Sequence, residues 1–292
     1  MIKLGLVGEG IAKSQSPDLH ERLGASLDLP VRYDLVDSLG VEGFDFPSAI
    51  QTLREKGYRG TNVTFPFKEK AAELADIRGE GVRRVGTANT LLFDAEGLRA
   101  ENTDYTGFIS AYRHSFGDQP AGDVLLIGAG GVGRAVACAL GELAASCIYI
   151  LERDSARGEN LSRDLNAMGI TSECITPEQA QRELPTWQGV VNCTPIGHIN
   201  HPGCPIGTAG LGAQHWVFDA VYIPAHTELL NAAYQAGAKT LSGVDLFVFQ
   251  GIDAFRFFTA DHIGNEQIDA HVIPLRTHYI KQLVSSSAQS VL

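Results

Sequence analysis

Short apolar runs alternate with amphipathic stretches along most of this chain. The strand-like run Lys3–Val7 leads into a helical pattern from Pro17 to about Leu27. Strand patterns follow near Arg32–Val36, Gly60–Thr64 and Thr90–Phe93, with helical patterns near Pro47–Lys56, from Lys68, and over Tyr105–Ser115. Such alternation predicts an α/β layer. The polar turn Gly117-Asp-Gln-Pro-Ala-Gly122 then reads as a domain junction. Beyond it the alternation restarts, with strands Val124–Ile127, Cys147–Leu151, Gly189–Asn192 and Trp216–Asp219. Helices are expected over Gly131–Ala144, Thr227–Gly237 (ending on a glycine cap), Gly243–Thr259 and Ile273–Leu283. The tail Ser285–Ser290 is low in complexity and expected to fray.

The restart carries the sharpest signal. In Val124-Leu-Leu-Ile-Gly-Ala-Gly-Gly-Val-Gly133 an apolar strand ends in glycines and passes at once into a helical pattern. Gly128, Gly130 and Gly133 form G-x-G-x-x-G, with Gly131 between them. The first glycine permits the turn, the second lets a pyrophosphate approach, and the third lets helix pack on strand. An acidic residue, Glu152, falls about 20 positions later, where the fingerprint places its ribose ligand. The segment therefore predicts a Rossmann-like, doubly wound dinucleotide-binding domain over 106–240. An α/β substrate-binding domain, 1–105, precedes it, and C-terminal helices, 241–292, follow it. The cleft between the two domains is the expected active site.

Composition narrows the class. At 292 residues two domains are the default. The net charge of −11 gives no electrostatic reason to bind nucleic acid or an anionic membrane. The opening apolar run is too short for a signal peptide, and no run approaches a membrane span. Five scattered cysteines without C-x-x-C suit a reducing cytoplasm, and Cys193 reads as a small buried filler. The expected partner is a small-molecule substrate, and the expected assembly a monomer or homodimer. His198 and His201 lack a third ligand, so no metal is expected.

Three polar clusters precede the nucleotide segment. In Lys13-Ser14-Gln-Ser16-Pro17 the hydroxyls either cap the coming helix or bind a polyol or carboxylate. In Asn62-Val-Thr64-Phe-Pro-Phe-Lys68 a strand and proline turn deliver a lysine to a helix start. It is either a solvated surface lysine or a proton-transfer group. Gly86-Thr-Ala-Asn89-Thr90 is followed by Glu101-Asn102-Thr103-Asp104. There Asp104 or Thr103 is either a helix N-cap, or Asp104 pairs with Lys68 as a proton-transfer dyad.

Together these clusters resemble the shikimate dehydrogenase family, which includes quinate/shikimate dehydrogenases. The resemblance extends through Ser14-Gln-Ser16-Pro, Asn62-Val-Thr-x-Pro-x-Lys68, Ala88-Asn-Thr90, Asn102-Thr-Asp104 and Gly128–Gly133. It continues in Val191-Asn-Cys-Thr-Pro-Ile-Gly197, Asp219-Ala-Val-Tyr-Ile-Pro224 with Thr227, and Gly243 with Gln250. It implies an NAD(P)-dependent oxidoreductase interconverting 3-dehydroshikimate and shikimate by hydride transfer. Lys68 and Asp104 become the catalytic dyad. Ser14, Ser16, Thr64, Asn89, Tyr222 and Gln250 hold the substrate, and for Gln250 to reach it the C-terminal helices, 241–292, return to the first domain. Asn192, Thr194 and Gly243 line the cofactor side with Gly128, Gly130, Gly131 and Gly133. The chain departs from the family at His198 and at Gly243-Val-Asp245, where relatives often carry methionine.

Cofactor choice turns on Glu152-Arg153-Asp154. NADP-using relatives commonly carry Asn-Arg-Thr there. Two carboxylates suit a free ribose diol and repel a phosphate, which favours NAD, while Arg153 and Arg157 oppose this. Within the enzyme class the alternatives are quinate or an amino-substituted shikimate analogue, and Ser16, where quinate users can carry threonine, tilts towards shikimate. A non-catalytic ligand sensor on the same fold is the alternative of another class, and it should lack Lys68 or Asp104.

Overall fold

The computed structural model describes residues 1–289, with side chains to residue 283. The chain divides into two compact units: Met1–Gly107 with Val248–Leu275, and Phe108–Phe247 with the residues from Arg276 on. The C-terminal stretch, expected to return whole to the first domain, is thus divided between the two. The side chains of the tail from Ser285, and Ser290 itself, lie outside the described residues.

The first unit runs β1 (Ile2–Gly8), α1 (Ser16–Ser26), β2 (Val31–Asp37), α2 (Phe46–Glu55), β3 (Gly60–Val63), α3 (Lys68–Leu74), β4 (Ile77–Arg78), α4 (Glu80–Val85), β5 (Thr90–Asp94) and β6 (Gly97–Glu101), then enters α5 (Thr103–Phe116). Its sheet has the order β2-β1-β3-β5-β6-β4. The pairs β1/β2, β1/β3 and β4/β6 are parallel, whereas β3/β5 and β5/β6 are antiparallel. Spacings of four and three bring Phe46, Ile50 and Leu53 to one face of α2. That face packs with Val7, Val63 and Leu91 in one core cluster. A second cluster joins Leu4, Leu6, Tyr33 and Leu92 to Ala254 and Phe258.

The second unit contains β7 (Gly122–Ile127), α6 (Gly131–Glu142), β8 (Ala145–Leu151), α7 (Ser155–Ala167), β9 (Ser172–Cys174), α8 (Pro177–Glu183), β10 (Gly189–Asn192), β11 (Trp216–Asp219), α9 (Glu228–Gln235) and β12 (Lys239–Ser242). α10 (Gly243–Thr259), α11 (Asn265–Asp269) and α12 (Val272–Gln289) complete the chain. The sheet order is β12-β11-β10-β7-β8-β9, and every pair is parallel. This is the doubly wound Rossmann arrangement, with the order reversing between β7 and β10. Apolar strand centres, Leu125, Val190 and Val217 among them, pack with Trp187, Leu229 and Ala233. No helix among the described residues is long and apolar enough to cross a membrane.

Candidate active site

The fully buried strand β3 ends at Val63, and the turn Thr64–Phe67 closes when Phe67 N–H donates to the Thr64 carbonyl at 2.9 Å. Lys68 is therefore the first residue of α3. Its ammonium donates to Asp104 Oδ2 at 2.6 Å, with the two side chains only 19% and 11% exposed. Asp104 reaches Lys68 because it does not cap its own helix. Asn102 supplies the cap instead. Its Oδ1 accepts from Tyr105 N–H at 3.1 Å, and its amide donates to the Thr87 carbonyl at 2.9 Å. The capping reading of Asp104 and Thr103 is thereby corrected. Asn102, almost wholly buried, was not among the expected site residues.

Asn89 is tied to Thr103, the residue that precedes Asp104. Its Oδ1 accepts from Thr103 N–H at 2.7 Å, Thr103 Oγ1 at 3.1 Å and Thr90 Oγ1 at 3.1 Å. Thr103 Oγ1 also approaches Gln250 Oε1, at 3.5 Å. The first unit thus draws Asn89, Gln250 and Asp104 together around Thr103. Ser14 and Ser16 form a pair of their own. Ser14 Oγ donates to Ser16 Oγ and accepts from Ser16 N–H, both at 3.2 Å. Ser16 is not the N-cap expected of it: α1 starts at Ser16, and Gln15 occupies the cap without a side-chain bond. Pro17 already removes one N–H from that turn, so a hydroxyl cap is less needed. Thr64 is half-buried at the end of β3. Tyr222 belongs to the second unit, where it stacks on Phe247 at 5.8 Å and burial pushes its phenol above the usual range.

In the second unit the glycine-rich turn follows β7, at the point where the strand order reverses. Gly128 adopts φ +97°, which a side chain disfavours, and a Cβ there would press on Thr194. A Cβ on Gly133 would collide with the Gly128 carbonyl oxygen, so α6 closes on the strand end only as glycine. At Gly130 and Gly131 a Cβ would meet nothing within 4 Å. That open space lies before the first turn of α6, whose N–H groups lack helical acceptors. The arrangement fits a pyrophosphate. Substituting Gly133 by alanine should cost about 1–3 kcal/mol through overpacking. Calorimetry should show a lowered Tm, and the KM for the dinucleotide should rise.

Glu152 and Asp154 follow β8. Glu152 Oε2 accepts from Ala129 N–H at 2.7 Å and Oε1 from Asp154 N–H at 3.0 Å, so it ties the glycine turn to the end of β8. Partial burial alone would raise its pKa, but these backbone donors outweigh burial and hold the carboxyl below its usual range. Asp154 caps α7 by accepting from Arg157 N–H at 3.2 Å, and Arg157 Nη2 stands 3.7 Å from its carboxylate. Arg153 is exposed beside them.

The segment after β10 is shaped by Asn192, which is 0% exposed. Its amide donates to the Ile196 carbonyl and to Asp219 Oδ1, each at 2.9 Å, while its Oδ1 accepts from Thr194 Oγ1 at 2.7 Å. Asp219 in turn accepts from Thr227 Oγ1 at 2.6 Å. Burial raises the Asp219 carboxyl despite those donors. Asn192 therefore folds the loop that presents Thr194, and its own side chain is enclosed. Gly243 starts α10 under the carbonyls of Ala220 and Val221. Asp245 is buried against Ser242 and Arg276. Cys193, expected to be buried, is half-buried. His198 and His201 face each other across a β-bridge, and among the described residues no cluster of three or more metal-binding side chains occurs.

Residues 6–91 match the family model for the shikimate dehydrogenase substrate binding domain. A shikimate dehydrogenase (NADP(+)) from an Arthrobacter species is 33% identical, over 93% of this chain and 94% of its own. A quinate/shikimate dehydrogenase (NAD(+)) from Corynebacterium efficiens is 34% identical, over 94% and 98%. The solved quinate dehydrogenase from Corynebacterium glutamicum in complex with NAD superposes with a TM-score of 0.86 at 32% identity, covering 94% of this chain and 99% of that one. With about a third of its residues shared over nearly its full length, this chain belongs to the shikimate dehydrogenase family.

Proposed function

We propose that this protein is an NAD(P)-dependent shikimate dehydrogenase, reversibly interconverting 3-dehydroshikimate and shikimate. The observation that carries the reading is the Lys68–Asp104 pair at 2.6 Å, with Asn89 and Gln250 gathered around Thr103 in the same unit. The first unit is the substrate domain, and the second, with its glycine turn after β7, is the dinucleotide domain.

A bound nicotinamide supplies the acceptor or donor of the hydride. In the reductive direction Lys68 gives a proton to the ketone oxygen. In the oxidative direction it takes that proton from the hydroxyl. Asp104 accepts from the ammonium and fixes where its remaining N–H groups point. Because both side chains are largely enclosed, their pairing is less screened than on an open surface. Ser14 and Ser16 supply hydroxyl donors for the ring carboxylate. Asn89, Gln250, Thr64 and Tyr222 supply donors and acceptors for the ring hydroxyls. Gly128, Gly130, Gly131 and Gly133 receive the pyrophosphate, with Thr194 and Gly243 nearby and Asn192 acting through the loop it folds.

NAD is the preferred cofactor in this reading, because Glu152 and Asp154 together occupy the end of β8. The five cysteines form no disulfide, which suits a reducing, cytoplasmic setting. The likeness to a quinate dehydrogenase supports quinate as a second substrate. Absorbance at the reduced-nicotinamide band, with shikimate or quinate and NAD or NADP in each combination, tests all of this. Turnover should be fastest with shikimate and NAD. No reduction in any combination would leave the non-catalytic sensor as the better reading.

A further inference from the structure

The serine pair sits at the end of an irregular loop that leaves β1 at Gly8 and enters α1 at Ser16. The start of this loop is tied to the turn that delivers Lys68: Glu9 N–H donates to the Phe65 carbonyl at 2.9 Å. Its middle is tied to β2. Asp37 is the last residue of that strand and lies beside Gly8 in the parallel register. Its Oδ1 accepts from Gly10 N–H at 2.8 Å, and its Oδ2 accepts from Ile11 N–H at 2.9 Å. Leu39 N–H also donates to Oδ1, at 2.9 Å. All three of these bonds go to main-chain N–H groups, so what the carboxylate holds is backbone shape.

Gly10 is left-handed, at φ +70°, and the N–H groups of Gly10 and Ile11 converge on one side. Consecutive N–H groups of this kind make a small concave anion site, and Asp37 fills it from the neighbouring strand. The Leu39 N–H above all, with those of Gly10 and Ile11, holds the Asp37 carboxyl below its usual range, so it is an anion at neutral pH. Ile11 adds an apolar anchor, buried in the cluster with Leu4 and Leu6. From Ile11 the bonds run on to the serines. The Ile11 carbonyl accepts from Ser14 N–H at 2.9 Å, and Ser14 Oγ accepts from Ser16 N–H at 3.2 Å. A chain of contacts thus leads from the end of β2 to the start of α1.

We propose that Asp37 is a positioning residue for substrate binding: it clamps the loop in the shape that sets Ser14 and Ser16 in place before the substrate arrives. The inference rests on the reading that Ser14 and Ser16 hold the substrate carboxylate. An irregular loop has many backbone states, and ordering it on binding lowers affinity. A clamp that acts in the free protein removes that cost from binding. Asp37 belongs neither to the Lys68–Asp104 pair nor to the dinucleotide unit, so its effect falls on substrate affinity.

The test is Asp37→Asn in the full-length protein, alone and in a Ser14→Ala background. Asparagine keeps the size and one acceptor oxygen, but it sets an amide where a backbone N–H needs an acceptor. The Tm reports whether the fold is kept. The amides of Gly10 and Ile11 should exchange with solvent about tenfold faster in Asp37→Asn than in the wild type. The shikimate KM and Kd should rise about three- to tenfold, the scale of one lost hydrogen bond. Turnover and the KM for NAD should stay within about twofold on the same scale. In the Ser14→Ala background the chain is already cut, so the second change should add almost nothing. Exchange at the wild-type rate would overturn the clamp, and unchanged shikimate affinity beside faster exchange would overturn its role in binding. Equal losses in both backgrounds would overturn its action through Ser14. Parallel loss of turnover, both KM values and Tm would overturn the proposal in favour of a merely structural role. If the wild-type protein bound neither shikimate nor quinate, the functional reading itself would fall and take the proposal with it, whatever the exchange rates.

Discussion

Lys68→Ala should lower kcat for shikimate by about two to four orders of magnitude, the usual worth of a positioned general acid or base. Lys68 opens α3, a helix that buries Ala71 and Ala72, and its own side chain enters none of the core clusters. Deleting it removes the proton carrier while the packing that forms the helix remains. Asp104 is left without its cation, but it keeps some access to water, so the fold should lose no more than a few degrees of Tm. Asp104→Asn should behave similarly by another route. The amide oxygen can still accept from Lys68, but the charge that holds the ammonium in place is gone. Because the residues proposed to hold the dinucleotide lie in the other unit, the KM for NAD should hardly move in either variant. Steady-state kinetics with shikimate and NAD, read beside thermal unfolding, checks both. Near-wild-type turnover in the two variants would remove Lys68 and Asp104 from the chemistry.

Much of the fold is legible in the sequence, and the exceptions have physical causes. The strands Gly189–Asn192 and Trp216–Asp219 and the helix Gly243–Thr259 fall where the apolar runs put them. α7 gives no such signal. Its thirteen residues bury only Gly158, Leu161 and Leu165, a stripe too thin to stand out among charges. β12 has one buried residue, Leu241, and β4 is two residues long, so their pairing depends on neighbours rather than on their own pattern. β6 alternates, but its five residues bury only Leu98 and Ala100, too few to stand out, and it pairs back on β5 through a short turn. α4, β9, α8 and α11 are likewise short and mostly polar at the surface.

At the site, the sequence pairs Lys68 with Asp104, as the structure does, but it does not show which side chains cap the helices. Ser16 before Pro17 and Asp104 near a helix start both look like caps, since serine and aspartate favour that position. Which side chain caps depends on where the helix begins, and one residue of difference leaves Ser16 inside α1 and passes the α5 cap to Asn102. Asn192 illustrates the same limit. The family resemblance puts it on the cofactor side, and its side chain is enclosed between Asp219 and Ile196. Asn62 is an amide inside β3, whose four residues are all buried. A polar group buried in a strand needs a partner, and that need points to a network.

The largest change in specificity should come from the end of β8. The wild-type protein should show a higher kcat/KM with NAD than with NADP, by about ten- to a hundredfold, or on the order of 1–3 kcal/mol. Glu152 is held as an anion by two backbone N–H groups, and Asp154 is held at the α7 cap, so neither can swing away from an incoming 2′-phosphate. Arg153 and Arg157 work against them. Arg157 is already paired with Asp154 at 3.7 Å, which leaves its charge partly neutralised. Two fixed carboxylates should therefore outweigh one exposed guanidinium and one engaged one. The double variant Glu152→Gln with Asp154→Asn tests this balance. Asparagine still caps a helix, and glutamine keeps one acceptor for the turn, so both units should fold. The change removes two like charges and frees Arg157 for a phosphate. The NADP-to-NAD ratio of kcat/KM should rise about tenfold or more at fixed ionic strength. Some activity should be lost with both cofactors, because the tie between Glu152 and Ala129 is weakened. If the ratio did not move, discrimination would have to reside elsewhere, in the loop around His198.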